Sequence, residues 1–213
     1  MVVTDDIRRA SQQLAEQMRR IIARLAVVRP PTEELVRAAE AAAAFADRLD
    51  ALPERTRSWE VSEAGLLPRD FVAYSPVSGL SNPMSPPVRL RVEEGDAGDV
   101  VIVGDVTFGP AYEGPPGHCH GGWIAAMFDE ALGFAQLAPG FTAYLHVNYR
   151  RPTPLNTKLE IRAWVDSVDG RKRLVKGECR HGDVLLSDAE GLFIAPRGDG
   201  DYLSRLGVTQ PSP

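Results

Sequence analysis

The chain has 213 residues, 44% of them hydrophobic, which is enough to bury a core in one domain with an extension. Its formal net charge of -5 argues against nucleic acid as a main partner, because phosphate backbones attract basic surfaces. No apolar run approaches the roughly 20 residues that a membrane span needs, and the only cysteines are Cys119 and Cys179. We therefore expect a globular protein of the reducing cytoplasm, without a membrane span or a disulfide bond.

The first quarter of the chain predicts two helices. Apolar residues from Thr4 to Val28 recur at spacings of three, four and seven, which is typical of a helix with one apolar face. Two prolines end that helix, and Thr32 begins a second, alanine-rich helix that runs to about Leu52. We assign residues 1–55 to an N-terminal helical arm. The arm either packs on the domain as a stabilising hairpin, the commoner arrangement, or covers a substrate channel or reaches another subunit.

The remainder predicts an α+β domain. Proline and glycine are frequent in residues 56–87, which predicts a linker with little regular structure. Residues 88–197 form the domain and residues 198–213 a flexible tail. The strands of the domain are expected at 88–92, 100–108, 142–149, 158–168, 172–181 and 184–195, with a helix at 121–137. Because the later connections are hairpin turns, too short for crossovers, the sheet must be antiparallel and the helix must lie on it.

The helix at 121–137 combines two features that suit acyl transfer. Its first residues, Gly121 and Gly122, present free backbone N–H groups and the positive end of the helix dipole, which stabilise a developing oxyanion. Its middle carries Asp129 among apolar residues, where burial of an unpaired carboxylate is costly, so this residue is either exposed or used. Because the helix is apolar on nearly every face, we expect the protein to enclose it.

The spacing along this helix has a consequence for assembly. Asp129 lies nine residues after His120, about 13 Å along one helix, so one subunit cannot bring both to the same carbonyl group. We therefore expect two subunits to face each other across a twofold axis. Glu130 points about 100° away from Asp129 around the helix and is expected to be a solvated or interface charge.

Four features in this region agree in order and spacing with a known family. They are the turn GPPG at 114–117, the sequence HGG at 120–122, Asp129, and Thr142 opening a strand that leads into NYRRP. Over roughly residues 100–195 the chain resembles the HGG-and-aspartate branch of hotdog-fold acyl-CoA thioesterases, which includes phenylacetate-pathway (PaaI-like) and mitochondrial long-chain members. The resemblance implies a hotdog fold, an antiparallel sheet wrapped around a long central helix, here with an N-terminal helical extension.

The resemblance also implies roles for individual residues. Gly121 would donate its backbone N–H to the oxyanion, Gly122 would allow close approach, and His120 would orient the thioester or its sulfur. Asp129 would be the nucleophile or general base, and Thr142 would position the attacking water. The implied reaction is hydrolysis of acyl-CoA to a free acid and coenzyme A, in a homodimer or dimer of dimers. It needs no cofactor other than the coenzyme A of the substrate.

Further residues bear on substrate binding. Arg150 and Arg151 follow a strand that would border the site and could bind the phosphates of coenzyme A, as could the basic cluster 171–173. Trp123 stands where smaller residues are common in the family, so it would narrow the acyl pocket. Gly114 stands where some relatives have Asn or Gln, so a polar contact would be absent or replaced.

Other interpretations are weaker or stay open. The sequence His118-Cys119-His120 suggests a metal site, but zinc takes about four ligands and no second ligand cluster exists, so we expect no metal. Cys119 could be a nucleophile beside the helix start, although a buried structural cysteine is commoner. The chain could also be a hotdog hydratase or dehydratase that shuttles protons, or a non-catalytic acyl-CoA binding protein.

Overall fold

The computed structural model describes residues 5–53, 73–95, 100–138 and 140–196. Residues 56–72 of the predicted linker and the predicted tail at 198–213 lie outside these ranges. The arm contains α1 (Asp5–Leu25) and α2 (Thr32–Asp50). The domain contains β1 (Arg89–Glu94), β2 (Val100–Val106), a short 3-10 helix (Pro110–Tyr112), α3 (Gly121–Ala135), β3 (Phe141–Tyr149), β4 (Leu159–Asp169), β5 (Lys172–His181) and β6 (Val184–Ile194). These bounds agree with the predicted elements to within a few residues.

The six strands form one antiparallel sheet in the order β1-β2-β4-β5-β6-β3. Helix α3 packs against β2, β3, β4, β5 and β6, so the sheet wraps around it. The chain enters α3 after β2 and leaves it into β3 at the other end of the sheet, which makes β3 an edge strand. This arrangement confirms the α+β hotdog fold, with an antiparallel sheet around one central helix.

The core lies between the sheet and one side of α3. Met127, Phe128, Ala131 and Leu132 of this helix are fully buried, and they belong to the same cluster as Phe193 of β6. Removal of this apolar area from water is the main stabilising contribution to the domain. The opposite side of α3 is open, because Gly122 and Asp129 are exposed. The expectation that the helix is enclosed on all sides is therefore wrong for a single protomer.

The helical arm packs on the domain through α1. Ala15 is buried, and the guanidinium of Arg19 donates hydrogen bonds to the backbone oxygens of Leu80 and Asn82, at 3.2 and 2.8 Å. No residue of α2 is buried. The prediction that the helical hairpin packs on the domain is thus correct for α1 and wrong for α2. None of the helices in the described ranges has the length and apolar content to cross a membrane.

The described part of the predicted linker, residues 73–87, is fastened to α3. It contains no helix or strand, yet Ser75 and Ser78 both donate side-chain hydrogen bonds to Glu130 Oε1, the first at 2.5 Å. Ser78 is buried and Glu130 is half-buried. The prediction that Glu130 is a solvated or interface charge is therefore wrong. Its carboxylate holds a loop that lies more than fifty residues earlier in the chain.

The close packing of this loop can be tested at Gly79. A Cβ atom there would lie 2.5 Å from both Ser75 N and Ser75 O, and backbone atoms cannot move aside as a flexible side chain does. We expect Gly79→Ala to lower the free energy of unfolding by about 1–3 kcal/mol. The control is Gly109→Ala, where a Cβ would meet nothing within 4 Å and the change should stay below about 0.5 kcal/mol. Urea denaturation measures both variants, and equal stability would contradict the packing described.

Candidate active site

The start of α3 is capped by His120. Its backbone is extended, with φ -64° and ψ 133°, and its ring atom Nδ1 accepts a hydrogen bond from Gly122 N–H at 3.0 Å. Because Nδ1 accepts, the neutral ring carries its proton on Nε2, which leaves a donor for a ligand. The sequence did not predict this capping role, since Ser, Thr, Asp and Asn are the usual caps. The expected role of His120 in orienting a thioester stays a prediction.

The cap determines which backbone amide is left for a ligand. Gly122 N–H donates to the His120 ring, and the N–H groups of Trp123 and Ile124 donate to the His120 carbonyl oxygen at 3.0 and 3.4 Å. Gly121 N–H has no acceptor among the described residues. Of the two glycine amides considered from the sequence, Gly122 is thus engaged and Gly121 is available. Its proposed contact with an oxyanion remains untested.

The first turn of α3 is also covered by Tyr149, a residue that was not predicted from the sequence. The Tyr149 hydroxyl donates a hydrogen bond to the Gly121 carbonyl oxygen at 2.9 Å. A Cβ atom on Gly121 would lie 3.4 Å from the Tyr149 ring, and one on Gly122 would lie 3.1 Å from His120 Nδ1. Tyr149 belongs to the NYRRP segment, which is one of the features that carry the family resemblance. The sequence therefore contained an indication that this residue lies near the site.

Asp129 and Thr142 are brought together as expected. Thr142 Oγ1 donates a hydrogen bond to Asp129 Oδ1 at 2.9 Å, from the beginning of the edge strand β3. Asp129 is exposed in the protomer, which is one of the two alternatives that the sequence left open. Helix α3 is continuous from Gly121 onward, so Asp129, eight residues later, is about 12 Å away along the axis. Within one chain, Gly121 and Asp129 are therefore too far apart to act on the same carbonyl group, as predicted.

A cavity of about 510 Å³ opens at the helix start, and Arg150 and Arg151 line it together with Gly121, Gly122 and Tyr149. The Arg150 guanidinium forms an ion pair with Asp188, and this hydrogen bond lowers the pKa of the Asp188 carboxyl below its ordinary value. The Arg151 side chain has no hydrogen-bond partner or ion pair within the described ranges. Of the two arginines named from the sequence, Arg151 is thus the one with its charge free for a phosphate.

The second basic cluster does not reach this cavity within the protomer. The backbone N–H groups of Arg150 and Arg151 donate to Leu186, near the beginning of β6. Arg171 is hydrogen-bonded to Ala195, just after the end of the same strand. The two clusters therefore lie at opposite ends of β6, about 30 Å apart at the usual rise of a strand.

Cys119 lacks the properties of a nucleophile. Burial raises the pKa of its thiol to about 12, and does the same for Cys179, so both are protonated near neutral pH. The interpretation of Cys119 as a nucleophile is therefore wrong. His118 Nδ1 lies 2.9 Å from the Pro116 carbonyl oxygen. Within the part of the chain that the structure describes, no three His, Cys, Asp or Glu side chains form a group suited to a metal ion.

The two departures from the family pattern have structural explanations. Gly114 has no room for a side chain, because a Cβ atom would lie 2.8 Å from His120 Cα, so the Asn or Gln of some relatives does not fit at this position. Trp123 packs edge-on against Tyr112, with ring centroids 5.0 Å apart. It lines a separate, larger cavity of about 630 Å³ and not the cavity at the helix start.

Similarities to known proteins agree with this fold. A family model described as "Thioesterase superfamily" matches residues 116–186. The chain is 41% identical over 88 residues to acyl-coenzyme A thioesterase THEM4 of Bos taurus, which covers 40% of this chain and 37% of that protein. It is 42% identical over 91 residues to THEM4 of Xenopus laevis, covering 40% of this chain and 41% of that protein. The matches thus span about two fifths of the length of these curated relatives.

A solved structure extends the similarity over most of the chain. The crystal structure of a thioesterase superfamily protein is 34% identical, with a TM-score of 0.73, and the match covers 87% of this chain and 90% of that one. One helix wrapped by an antiparallel sheet defines a hotdog protein. At this identity and coverage the assignment is specific, and the chain belongs to the thioesterase superfamily.

The thiol pKa values give a direct test of the assignment of both cysteines as structural. At pH 8 a thiol with a pKa of about 12 is almost entirely protonated, and both side chains are buried. We expect neither Cys119 nor Cys179 to react with Ellman's reagent in the native protein, and both to react in urea. Release of one equivalent of colour from the native protein, at the rate of a free thiol, would show that one of them is accessible.

Proposed function

We propose that this protein hydrolyses acyl-CoA thioesters to a free acid and coenzyme A. The observation that carries the proposal is that one helix presents two groups. Gly121 N–H is a backbone donor without an acceptor in the described part of the chain, and Asp129 is a carboxylate held by the Thr142 hydroxyl. Acyl transfer to water needs a donor for the oxyanion and a base or nucleophile, and these groups supply both. The names of the curated relatives, acyl-coenzyme A thioesterases, support the same activity.

The proposed reaction begins with the thioester carbonyl oxygen accepting a hydrogen bond from Gly121 N–H. The positive end of the helix dipole then stabilises the charge that develops on this oxygen. His120, with a proton on Nε2, orients the thioester or its sulfur. The occupied Gly122 amide keeps the His120 ring in place.

Asp129 supplies the second half of the chemistry. Its Oδ1 atom accepts from Thr142, which leaves Oδ2 for water. As a general base, Asp129 takes a proton from water while the water oxygen bonds to the thioester carbon. The carbon–sulfur bond then breaks, and the leaving thiolate receives that proton. As a nucleophile, Asp129 forms a mixed anhydride that water cleaves, with the same net result.

We further propose that two protomers share each site. The separation of about 12 Å between Gly121 and Asp129 along α3 supports this, because no single chain can place both on one carbonyl group. The exposed side of α3 carries Gly122 and Asp129, seven residues apart and on the same face. In a twofold dimer with antiparallel α3 helices, Gly121 of one chain meets Asp129 of the other, and each acid is covered.

The phosphates of coenzyme A are proposed to bind Arg151, beside the cavity at the helix start. Its guanidinium group, which has no partner among the residues that the structure describes, can form paired hydrogen bonds with a phosphate. Coenzyme A arrives as part of the substrate, and the proposed reaction uses no other cofactor.

The role of the acid is tested by Asp129→Asn, which removes the charge and keeps the shape. We expect the rate of thioester cleavage to fall by about 10²–10⁴, the usual contribution of a general base, with the fold unchanged. The control is Asp166→Asn, which removes an exposed carboxylate that is paired with Lys176 on the surface. A free-thiol assay with a panel of acyl-CoA substrates measures both variants.

Two results would contradict the assignment of Asp129. Turnover of Asp129→Asn at the wild-type rate would exclude the acid from the reaction. Binding of acyl-CoA by the wild-type protein, without release of thiol from any substrate, would favour the non-catalytic alternative.

The sharing of sites is tested by mixing two inactive variants, Asp129→Asn and Gly121→Pro. Proline is tolerated at the first position of a helix and lacks the N–H group proposed to bind the oxyanion. Random exchange of subunits gives mixed dimers with one intact site each, so activity should recover to roughly a quarter of the wild-type value.

The control for Gly121→Pro is Gly121→Ala, which adds a Cβ atom at the same place but keeps the N–H group. Gly121→Ala should retain most of the activity, while Gly121→Pro should lose about 10²–10³ in kcat. No recovery after mixing, with subunit exchange demonstrated by differently tagged chains, would mean that each site lies within one protomer.

A further inference from the structure

A cavity of about 630 Å³ lies between α1 and the hotdog domain. Ile22 and Ala23 of α1 form one side of it, and Thr107, Tyr112 and Trp123 of the domain form another. Pockets that bind small molecules usually measure roughly 300–1,000 Å³ and are mainly apolar, so this cavity has the size and the lining of a ligand site. None of the chemistry proposed above uses it.

The loop that Glu130 fastens to α3 forms a third wall of the cavity. Met84 and three prolines of this loop line the cavity, and the Tyr112 hydroxyl donates a hydrogen bond to the Met84 carbonyl oxygen at 3.1 Å. Arg19 ties α1 to the same loop. Met84 itself is 53% exposed, and its flexible thioether side chain can adapt to ligands of different length. The walls are thus held by hydrogen bonds, while the surface offered to a ligand is apolar.

Most of the charge at the border of the cavity is already compensated. Arg19 donates to backbone carbonyl groups, and Lys158 forms an ion pair with Asp105 at 3.1 Å. Asp105 is also paired with Arg91. Arg89 also lines the cavity, is exposed and has no ion-pair partner among the described residues, so the border keeps one free positive charge while the walls are apolar. An apolar chain would replace only water.

The cavity lies on the other side of the first turn of α3 from the cavity at the helix start, and no lining residue is common to both. Trp123, in its wall, directly follows Gly122, and Tyr112, also in its wall, accepts a hydrogen bond from His120 N–H at 2.8 Å through its carbonyl oxygen. The rings of Trp123 and Tyr112 pack edge-on. An apolar chain in this cavity thus ends beside the residues proposed to hold a thioester.

We propose that this cavity binds the apolar chain of the acyl group and that α1 sets the length of chain accepted. The choice of an acyl ligand rests on the proposed function. The cavity wall formed by α1 lies outside residues 116–186, which match the family model.

The test fills the cavity with a bulky side chain from either side. Ala23→Trp does so from α1, and Thr107→Trp from the domain, so that a folding defect in one variant leaves the other. The matched control is Ala10→Trp, which places the same side chain on an exposed position of α1. Circular dichroism establishes that each variant is folded.

Binding is measured without catalysis, by displacement of a dansyl-labelled undecanoic acid with dodecanoic acid. We expect the filled variants to bind the probe at least about tenfold more weakly than the wild type, and Ala10→Trp to bind it unchanged. Equal binding by the filled variants and the wild type, or no binding of the probe by the wild type, would overturn the proposed pocket.

Hydrolysis gives the second measurement. For the filled variants, the ratio of kcat/KM for dodecanoyl-CoA to that for acetyl-CoA should fall by about tenfold, with acetyl-CoA turnover unchanged. If the filled variants are active and keep the wild-type preference for acyl chain length, the proposed pocket is refuted and the proposed thioesterase activity is not affected. Probe binding that is lost on filling, in a protein that cleaves no acyl-CoA, would support the pocket and refute the proposed activity.

Discussion

The rise of an α-helix is the constraint on which the rest of this structure depends. Gly121 and Asp129 belong to one uninterrupted helix, and eight residues of helix separate them by about 12 Å. The same helix is the centre of the core, so it cannot bend to bring them together without loss of packing. Its buried side therefore fixes the domain, while its open side leaves two halves of a site that a second chain can complete.

Much of the fold was predictable because it follows from local patterns. The periodicities of the strands and of α3 placed these elements to within a few residues, and short turns required an antiparallel sheet. The pairing of Thr142 with Asp129 was predicted from the family resemblance, and the structure shows the hydrogen bond. An apolar helix, by contrast, indicates only that burial is favourable and not which chain provides it, so the open side of α3 was not predicted.

The features that the sequence did not reveal depend on partners far apart in the chain. The serines that hold Glu130 lie 52 and 55 residues before it, and Tyr149 covers Gly121 from 28 residues away. The capping by His120 is local, but a histidine cap is unusual, so propensity gave no signal. For α2, periodicity predicted a helix correctly, yet an apolar stripe does not specify the surface that covers it.

Asp129 and Glu130 are neighbours in sequence with unrelated partners. In the proposed dimer, the first serves a site built with the other subunit, while the second anchors the loop that lines its own chain's apolar cavity. One turn of helix thus joins the place where an acyl chain would be accommodated to the acid used by the opposite protomer. In such a dimer, cooperativity between the two halves would act over a short distance, through adjacent residues of the rigid helix α3.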